Sequence, residues 1–244
     1  MKECSKSVMR RLADARFGSR YFVGHGIDIG GKPDPLALYV ELFPRIESVR
    51  TWDWEDGDAQ FLEGLADDSL DFVHSSHCLE HLVDPAAGLK NWLRVLRPGG
   101  HLVVTVPDED LYEQGVFPST FNRDHKHTFT IWKAASWSAA SINLVDLLSG
   151  LGAQAQVLKV ELLDATFRFG LPRYDQTSTP VGECAIEFVV RKRPASELAA
   201  RGRLPGTEQP DPATRIHLNQ YRDDRARVIG GNPGKPPFTN DDPL

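Results

Sequence analysis

The sequence predicts an α/β fold in which a parallel, doubly wound sheet carries helices on both faces. The first observation is that short apolar runs typical of buried strands alternate with helical segments along the chain. The second is that clusters of glycine and proline end most of these segments, as turns require. The third is the composition, because 244 residues with 41% hydrophobic and 25% charged side chains suffice for one domain with a sizeable core.

The predicted elements follow one another in a regular order. Four strands are predicted at residues 26–29, 48–53, 69–75 and 101–106, and two final strands at 155–163 and 184–191. A short helix is predicted at 35–43. A second helix begins at Asp84-Pro85, because aspartate caps helix N-termini and proline suits the first helical position. The apolar pattern of residues 132–151 predicts a long amphipathic helix that ends at Gly152.

Charge and cysteine usage narrow the partners and the compartment. The formal net charge is −6, whereas a nucleic-acid-binding surface normally shows a basic excess, so no nucleic-acid partner is predicted. The cysteines Cys4, Cys78 and Cys184 are far apart and form no CxxC pair, which is typical of a reducing cytoplasm. No run approaches the roughly 18 apolar residues of a membrane span. We therefore expect a cytoplasmic protein without a membrane span.

Composition changes near Pro194. Eight of the 17 prolines lie at or after this residue, together with five glycines. We therefore predict a folded domain over residues 1–193 and a tail over residues 194–244 that is extended or disordered. The alternative is that the tail is an arm that docks on a partner subunit, and this would make the protein a homodimer.

Acidic and glycine residues follow the first strands at the edge where parallel sheets bind ligands. The first strand ends in the segment DIGG at 28–31, and glycine there lets a ligand approach the backbone closely. The second strand ends at Asp53, where an acid in this architecture accepts both hydroxyls of a ribose. Asp58-Ala59 comes next, and a carboxylate beside a main-chain N–H can read the edge of an adenine.

Two further segments complete the pattern. The run LDFVHSSHCLEHL at 70–82 passes from a strand into a turn, and LRPGG at 96–100 links a helix to a strand. In this order and at these spacings, the five motifs resemble the class I S-adenosylmethionine (SAM)-dependent methyltransferases, in particular the small-molecule, type 11 domain. The resemblance covers residues 24–107 closely and 128–191 loosely. Only the first glycine of the family's Gly-x-Gly-x-Gly pattern is present, and Lys32 and Pro33 follow Gly31.

The resemblance implies a Rossmann-like sheet of seven strands whose last strand is antiparallel, with SAM as the cofactor. The residues that it implies at the cofactor are Asp28, Gly30, Gly31, Asp53, Asp58, Ala59 and His77. It further implies an enzyme that transfers a methyl group to a small-molecule or glycan-type acceptor, at oxygen. The alternatives are a methyltransferase acting at nitrogen or carbon of a small metabolite, and a non-catalytic SAM-binding or scaffold protein. A nicotinamide-dependent reductase is disfavoured by Asp58-Ala59 and by the LRPGG segment.

Histidines in two loops are candidates for proton transfer, because imidazole can be neutral near pH 7. We predict that His125 or His127 is the general base and that Asp124 orients its ring. The alternative is that these residues only hold the loop in place. His81 is interpreted as structural, because Leu-Glu-His-Leu is common in the resembled family.

A divalent metal is a second interpretation of these histidines. His77 and His81 are four residues apart and could bind an ion together with Asp108 and His125. Because no second motif supports it, no metal is predicted.

The segment 107–129 is long for a connection, which favours a functional loop. Its mixture of acidic and aromatic side chains suits a sugar or another polyhydroxylated acceptor. The Asn/Asp-Pro-Pro-aromatic motif of enzymes that methylate nucleobase nitrogen does not follow the strand at 69–75, which disfavours that reaction.

Overall fold

A computed structural model describes residues 3–202, and its centre is a six-stranded sheet. The strands of this sheet are β1 (Gly24–Ile29), β2 (Ile46–Trp52), β3 (Leu70–Ser76), β4 (Leu96–Pro107), β7 (Ala155–Leu163) and β8 (Ala185–Lys192). Their spatial order is β2-β1-β3-β4-β8-β7. The strands β5 (Thr128–Thr130) and β6 (Ser141–Asn143) form a separate parallel pair.

The pairing of the strands brings the carboxyl ends of β1, β2 and β3 together. These strands and β4 run parallel, and Ile29 pairs with Trp52 on one side and with Ser75 on the other. The strand β8 runs antiparallel to both β4 and β7. The loops that follow β1, β2 and β3 therefore leave the sheet at one edge, where ligands of such sheets bind.

Helices cover both faces of the sheet. The α-helices are α1 (Glu3–Ala13), α2 (Pro85–Val95), α3 (Leu144–Ser149) and α4 (Ala195–Ala199). Short 3₁₀ helices lie at Leu36–Leu42, Leu79–His81 and Gln176–Ser178, and single π-helical turns lie at Phe17–Tyr21 and Glu109–Glu113. The Asp84 carboxylate accepts the Ala87 N–H at 3.0 Å, and this confirms the predicted start of α2.

The apolar core lies in two layers, one on each face. Leu102 and Val104 of β4 point to one face and pack in a cluster that includes Trp92 of α2. Val103 points to the other face, in a cluster that includes Phe17. Alternate residues of a strand face opposite sides, so both sides of this strand are buried, and the doubly wound α/β class is confirmed.

The expected seventh strand is absent from the described residues. The chain between β2 and β3 forms turns, and β2 is the edge of the sheet. Gly57 and Gly64 have φ values of +119° and +83°, and Leu62 and Asp68 also lie in the left-handed region. Repeated left-handed residues prevent the extended backbone that a strand requires.

The predicted long helix at 132–151 is wrong, because only Leu144–Ser149 is α-helical. The preceding polar side chains bind the buried Glu109 instead of following a helical face. The Lys133 ammonium and the Ser136 hydroxyl each donate to Glu109 at 2.7 Å. In the sequence pattern, serine and lysine suit the exposed surface of a helix. In the structure they satisfy a buried carboxylate instead, because a buried charge without hydrogen bonds is costly.

The predicted tail begins with ordered structure. Residues 195–199 form α4, and its Glu197 carboxylate pairs with the Arg191 guanidinium of β8. The prediction of an extended or disordered tail is therefore wrong for this turn of helix. Residues 203–244, and with them the predicted docking arm, lie outside the described residues. Within residues 3–202, no helix has the length and apolar character to cross a membrane.

Candidate functional site

The turn after β1 is shaped from within by Asp28, which is only 1% exposed. One carboxylate oxygen contacts the His74 Nδ1 atom at 2.6 Å, and the other accepts the Leu36 N–H at 2.7 Å. A Cβ atom on Gly31 would lie 2.4 Å from this second oxygen. Asp28 therefore holds the backbone of the turn in place, which differs from the direct cofactor contact predicted from the sequence.

A buried chain of polar groups connects Asp28 to helix α1. The Arg11 guanidinium donates to the Nε2 atom of His74 at 3.0 Å, so the other ring nitrogen, Nδ1, is protonated and donates a hydrogen bond to Asp28. Arg11 also donates to Glu187 of β8 at 3.0 Å. Burial alone would raise the pKa of Glu187, but Arg11 and Arg10 outweigh it and lower this pKa to about 2.

A cavity of about 460 Å³ lies at the carboxyl ends of β1 and β2. Its lining residues are Gly30, Trp52, Asp53, Trp54, Gly57, Asp58, Ala59, Cys78, His81 and Leu82. Gly30 has a φ of +71°, and a Cβ atom there would lie 2.8 Å from the Cβ atom of Cys78. A side chain at position 30 would thus intrude on the wall of the cavity, whose volume suits a nucleoside-sized ligand.

The residues predicted at the ribose and the adenine meet in this cavity. Asp53 is half-buried, and its two carboxylate oxygens accept the N–H groups of Trp54 at 3.0 Å and Lys32 at 3.3 Å. The Ala59 carbonyl accepts the indole N–H of Trp92 at 2.7 Å, so helix α2 holds the loop that carries Asp58. Asp53, Asp58 and Ala59, which the sequence analysis assigned to the cofactor, therefore line one cavity.

Trp54 is a residue of the cavity that the sequence analysis missed. Its side chain is 86% exposed, although tryptophan is usually buried. A large aromatic residue directly after the strand-ending acid is the signal that could have identified it.

His77 lies in a second, smaller cavity of about 160 Å³ that shares Gly30 with the first one. It adopts a φ of +54°, and its side chain is buried between two acids. Its Nε2 atom is 3.6 Å from Glu3, and its Nδ1 atom is 3.5 Å from Glu80. Burial opposes protonation of His77, but these carboxylates outweigh it and raise its pKa.

The predicted catalytic residues are placed differently from one another. The His125 ring is buried, and its Nδ1 atom donates to the Glu113 carboxylate at 2.8 Å. Asp124 is exposed, and it is Glu113 that contacts this ring, so the prediction that Asp124 orients it is wrong. The Asp124 backbone carbonyl instead accepts a hydrogen bond from His81 Nδ1 at 3.1 Å. His127 donates from Nε2 to the Leu82 carbonyl at 3.1 Å.

The histidine that reaches the larger cavity is His81, and the lining found among residues 3–202 includes neither His125 nor His127. The His81 and His125 rings are nevertheless in contact, with centroids 5.0 Å apart. The sequence interpretation of His81 as structural therefore overlooked the imidazole nearest to the candidate site. No local signal identifies Glu113, because it acts on a residue twelve positions away.

The long loop is fixed by its own acids. Asp108 accepts the N–H groups of Asp110 and Leu111, each at 3.0 Å, and burial raises its pKa to about 6. Glu109 accepts hydrogen bonds from Thr128 and Ser141 in addition to those described above. These two acids are engaged inside the protein, so they are not the acceptor-facing groups that the loop composition suggested.

Comparison with known proteins supports the class that this fold and cavity define. A family model described as a methyltransferase domain matches residues 33–104, which include Asp53, Asp58, Ala59 and His77. This match confirms the resemblance to class I SAM-dependent methyltransferases, and the cofactor that it implies is SAM.

One curated relative extends the comparison. The chain is 34% identical over 121 residues to an uncharacterized 37.1 kDa protein in transposon TN4556 of Streptomyces fradiae, across 43% of this chain and 35% of that protein. The chain thus spans about a third of that relative.

Among solved structures, a SAM-dependent methyltransferase from Archaeoglobus fulgidus is 18% identical, with a TM-score of 0.48 over 79% of this chain and 95% of that one. A SAM-dependent methyltransferase from Thermotoga maritima, described as a possible histamine N-methyltransferase, is 19% identical. Its TM-score is 0.43 over 77% of this chain and 89% of that one.

The residues of the cavity fit the implied cofactor. The carboxylate of Asp53 stands at the cavity wall, as a ribose diol requires. A Cβ atom at position 30 would clash with Cys78, and glycine avoids this clash. Because the turn carries no side chain there, a ligand can approach its backbone closely. The exposed indole of Trp54 offers an apolar surface beside them.

Proposed function

We propose that this protein is a SAM-dependent methyltransferase that acts at oxygen on a small-molecule or glycan-type acceptor. The observation that carries the proposal is the convergence of Gly30, Asp53 and Asp58-Ala59 on one cavity at the carboxyl edge of the sheet. The matched family segment contains three of these residues, so the sequence comparison and the geometry support the same cofactor.

Each residue of the cavity has a distinct role in this proposal. Asp53 accepts hydrogen bonds from the two ribose hydroxyls, and such charge-assisted bonds are roughly twice as strong as bonds between neutral groups. Asp58 and the Ala59 N–H face the polar edge of the adenine, and Trp54 covers its apolar face. Gly30 keeps the first turn close to the cofactor. When bound, SAM supplies a methyl group on a sulfonium, which has a good leaving group.

The protein's main task is then to position the acceptor, because in-line displacement depends on the alignment of the reacting atoms. The His81 ring is the imidazole at the cavity, and His125 lies directly behind it. A hydroxyl acceptor must also lose a proton, and the histidines of this loop region are the groups suited to assist it. This is what favours oxygen over a nitrogen acceptor in the proposal.

Binding calorimetry is the first test. We expect SAM and its demethylated product to bind with a Kd in the micromolar range and NAD to show no binding. Tight NAD binding without SAM binding would overturn the proposed cofactor. Transfer of an isotope-labelled methyl group from SAM to hydroxylated metabolites and glycosides, with the product analysed by mass spectrometry and NMR, then identifies the methylated atom. Product labelled at nitrogen or carbon would replace the oxygen assignment.

The fluorescence of the Trp54 indole offers an independent readout of ligand binding at the same site. Because Trp54 is exposed at the cavity, its fluorescence should change when the product of SAM binds. The Trp54→Phe variant should lose most of this change and keep the fold, since Trp52, the other tryptophan of the lining, is buried. Trp137→Phe is the matched control, since Trp137 is also partly exposed but donates to Asp110 away from the cavity.

A further inference from the structure

Beside the cofactor cavity, one buried carboxylate lacks the hydrogen bonds that burial demands. Glu80 is fully buried, and neither of its carboxylate oxygens has a hydrogen-bond partner among the described residues. The Nε2 atom of the buried His125 also has no hydrogen-bond partner among the described residues, and it lies 3.8 Å from Glu80 Oε1. The Nε2 atom of His81 lies 3.9 Å from the same oxygen.

These separations are too long for hydrogen bonds but suit atoms that share a metal ion. Hydrogen bonds of this kind need about 2.7–3.2 Å between the heavy atoms. Zn²⁺ lies about 2.0–2.2 Å from nitrogen and oxygen ligands, which places tetrahedral ligands about 3.3–3.6 Å apart. The ligand atoms of Glu80, His81 and His125 all lie within 4.8 Å of one another, so small side-chain rotations would close the set around one ion.

The other nitrogen of each ring is already used in a way that prepares Nε2 for a metal. His125 donates its Nδ1 proton to Glu113 at 2.8 Å, and His81 donates its Nδ1 proton to the carbonyl of Asp124 at 3.1 Å. A neutral imidazole with its proton on Nδ1 presents a lone pair on Nε2. Metal-binding histidines are almost always oriented by such acceptors on the second nitrogen.

The backbone holds the two ligand-bearing segments together. The Lys126 N–H donates to the Glu80 carbonyl at 2.9 Å, and the Lys126 ammonium donates to the His81 carbonyl. His125 therefore faces Glu80 although 45 residues separate them in the sequence. The arrangement does not depend on a ligand to bring its parts together.

We propose that Glu80, His81 and His125 bind one divalent transition-metal ion of the Zn²⁺ type. Two imidazoles and one carboxylate favour such ions over Mg²⁺ or Ca²⁺, which prefer oxygen ligands. Three protein ligands leave a coordination position open, as in catalytic zinc sites. His81 belongs both to this set and to the lining of the larger cavity, so the ion lies beside the candidate cofactor site.

One consequence rests on the proposed function. A hydroxyl group of the acceptor that occupies the open position would lose its proton more readily, because a bound metal ion lowers the pKa of an oxygen ligand. The metal would then supply the activation that sequence analysis assigned to a histidine base. His125 would act as a ligand in this reaction.

The test is metal binding by full-length protein stripped with EDTA, in the absence of SAM. Calorimetry with Zn²⁺ should show one tight binding site per chain. Co²⁺ bound at the same site should produce the visible absorption that is typical of low coordination numbers. We expect Glu80→Gln, His81→Gln and His125→Gln each to weaken Zn²⁺ binding by more than about 100-fold, and Glu113→Gln by about 10–100-fold. His127→Gln is the matched control and should bind Zn²⁺ as the wild type does, since its Nε2 donates to a carbonyl.

Thermal unfolding keeps the test decisive for variants with altered stability. Zn²⁺ should raise the Tm of the wild type and of His127→Gln but not that of Glu80→Gln. Absence of Zn²⁺ and Co²⁺ binding by folded wild-type protein, or binding that Glu80→Gln and His125→Gln leave unchanged, would overturn the site. SAM binding measured in EDTA reports on the proposed cofactor separately, so a failure there leaves the metal result intact.

Discussion

Replacing Gly30 by alanine tests the close approach between the first turn and Cys78. A Cβ atom at Gly30 would lie 2.8 Å from the Cβ atom and 3.1 Å from the Sγ atom of Cys78. The left-handed backbone, at φ +71°, costs a residue with a side chain about 1–2 kcal/mol. Extra atoms in a packed site cost about 1–3 kcal/mol more. We therefore expect Gly30→Ala to lower the free energy of unfolding by about 2–5 kcal/mol.

Gly64 provides the matched control for the backbone contribution. Its φ is +83°, and a Cβ atom there would meet no atom within 4 Å. Gly64→Ala should therefore cost only about 1–2 kcal/mol. Adding Cys78→Gly to Gly30→Ala removes the blocking atoms and should recover the packing contribution but leave the backbone contribution.

Urea unfolding of the single and double variants measures these differences. Equal losses of stability in Gly30→Ala and Gly64→Ala would refute the argument, since the left-handed backbone alone would then account for both losses and the contact with Cys78 for none. A double variant with no recovery relative to the sum of the single changes would refute it as well, because the two positions would not be in contact.

Three further predictions concern the cofactor cavity and the buried ion pairs. Asp53→Asn should weaken SAM binding in calorimetry by about 1.5–3 kcal/mol, whereas Glu55→Gln, a neighbour that pairs with Lys32 at the surface, should not. Trp92→Phe removes the hydrogen bond to the Ala59 carbonyl and should lower the free energy of unfolding by about 1–3 kcal/mol, measured in urea. The pKa of Glu187 is depressed from 4.5 to about 2, so its pairing stabilises the fold above pH 4.5 and is lost as the pH falls towards 2. Glu187→Gln should flatten this pH dependence of stability, and an unchanged acid transition would contradict the role of the pair.

The fold was largely predictable because its strands are marked locally. Each of the six predicted strands is present, because runs of buried β-branched residues favour strands. The strand boundaries differ from the predicted ones by up to five residues, at the start of β4. The helix predicted at 132–151 failed for a non-local reason. Its serines and Lys133 satisfy Glu109, and no pattern within that segment shows where a buried acid elsewhere will lie.

The site was predictable to a similar degree and for the same reason. Asp53 and Asp58-Ala59 follow strands directly, so the edge of the sheet gathers them into one cavity. The role of Asp28 depends on His74, a residue of the neighbouring strand, and the orientation of His125 depends on Glu113. Such pairings form only when the chain folds, and sequence spacing does not contain them.

Glu109 shows how a residue can serve the site without touching it. His125 lies in the segment between the end of β4 at Pro107 and the start of β5 at Thr128, and a loop of this length would normally sample many conformations. The Glu109 carboxylate accepts the Thr128 hydroxyl at 3.1 Å and the Lys133 ammonium at 2.7 Å, so both ends of the segment are tied to one buried group. Ligand sets and acceptor pockets need side chains held to about 0.5 Å. Because a buried acid is expensive to leave without partners, the loop cannot open without losing several hydrogen bonds at once. Glu113 orients the His125 ring, and Glu109 stabilises the loop that carries it through hydrogen bonds to Thr128, Lys133, Ser136 and Ser141.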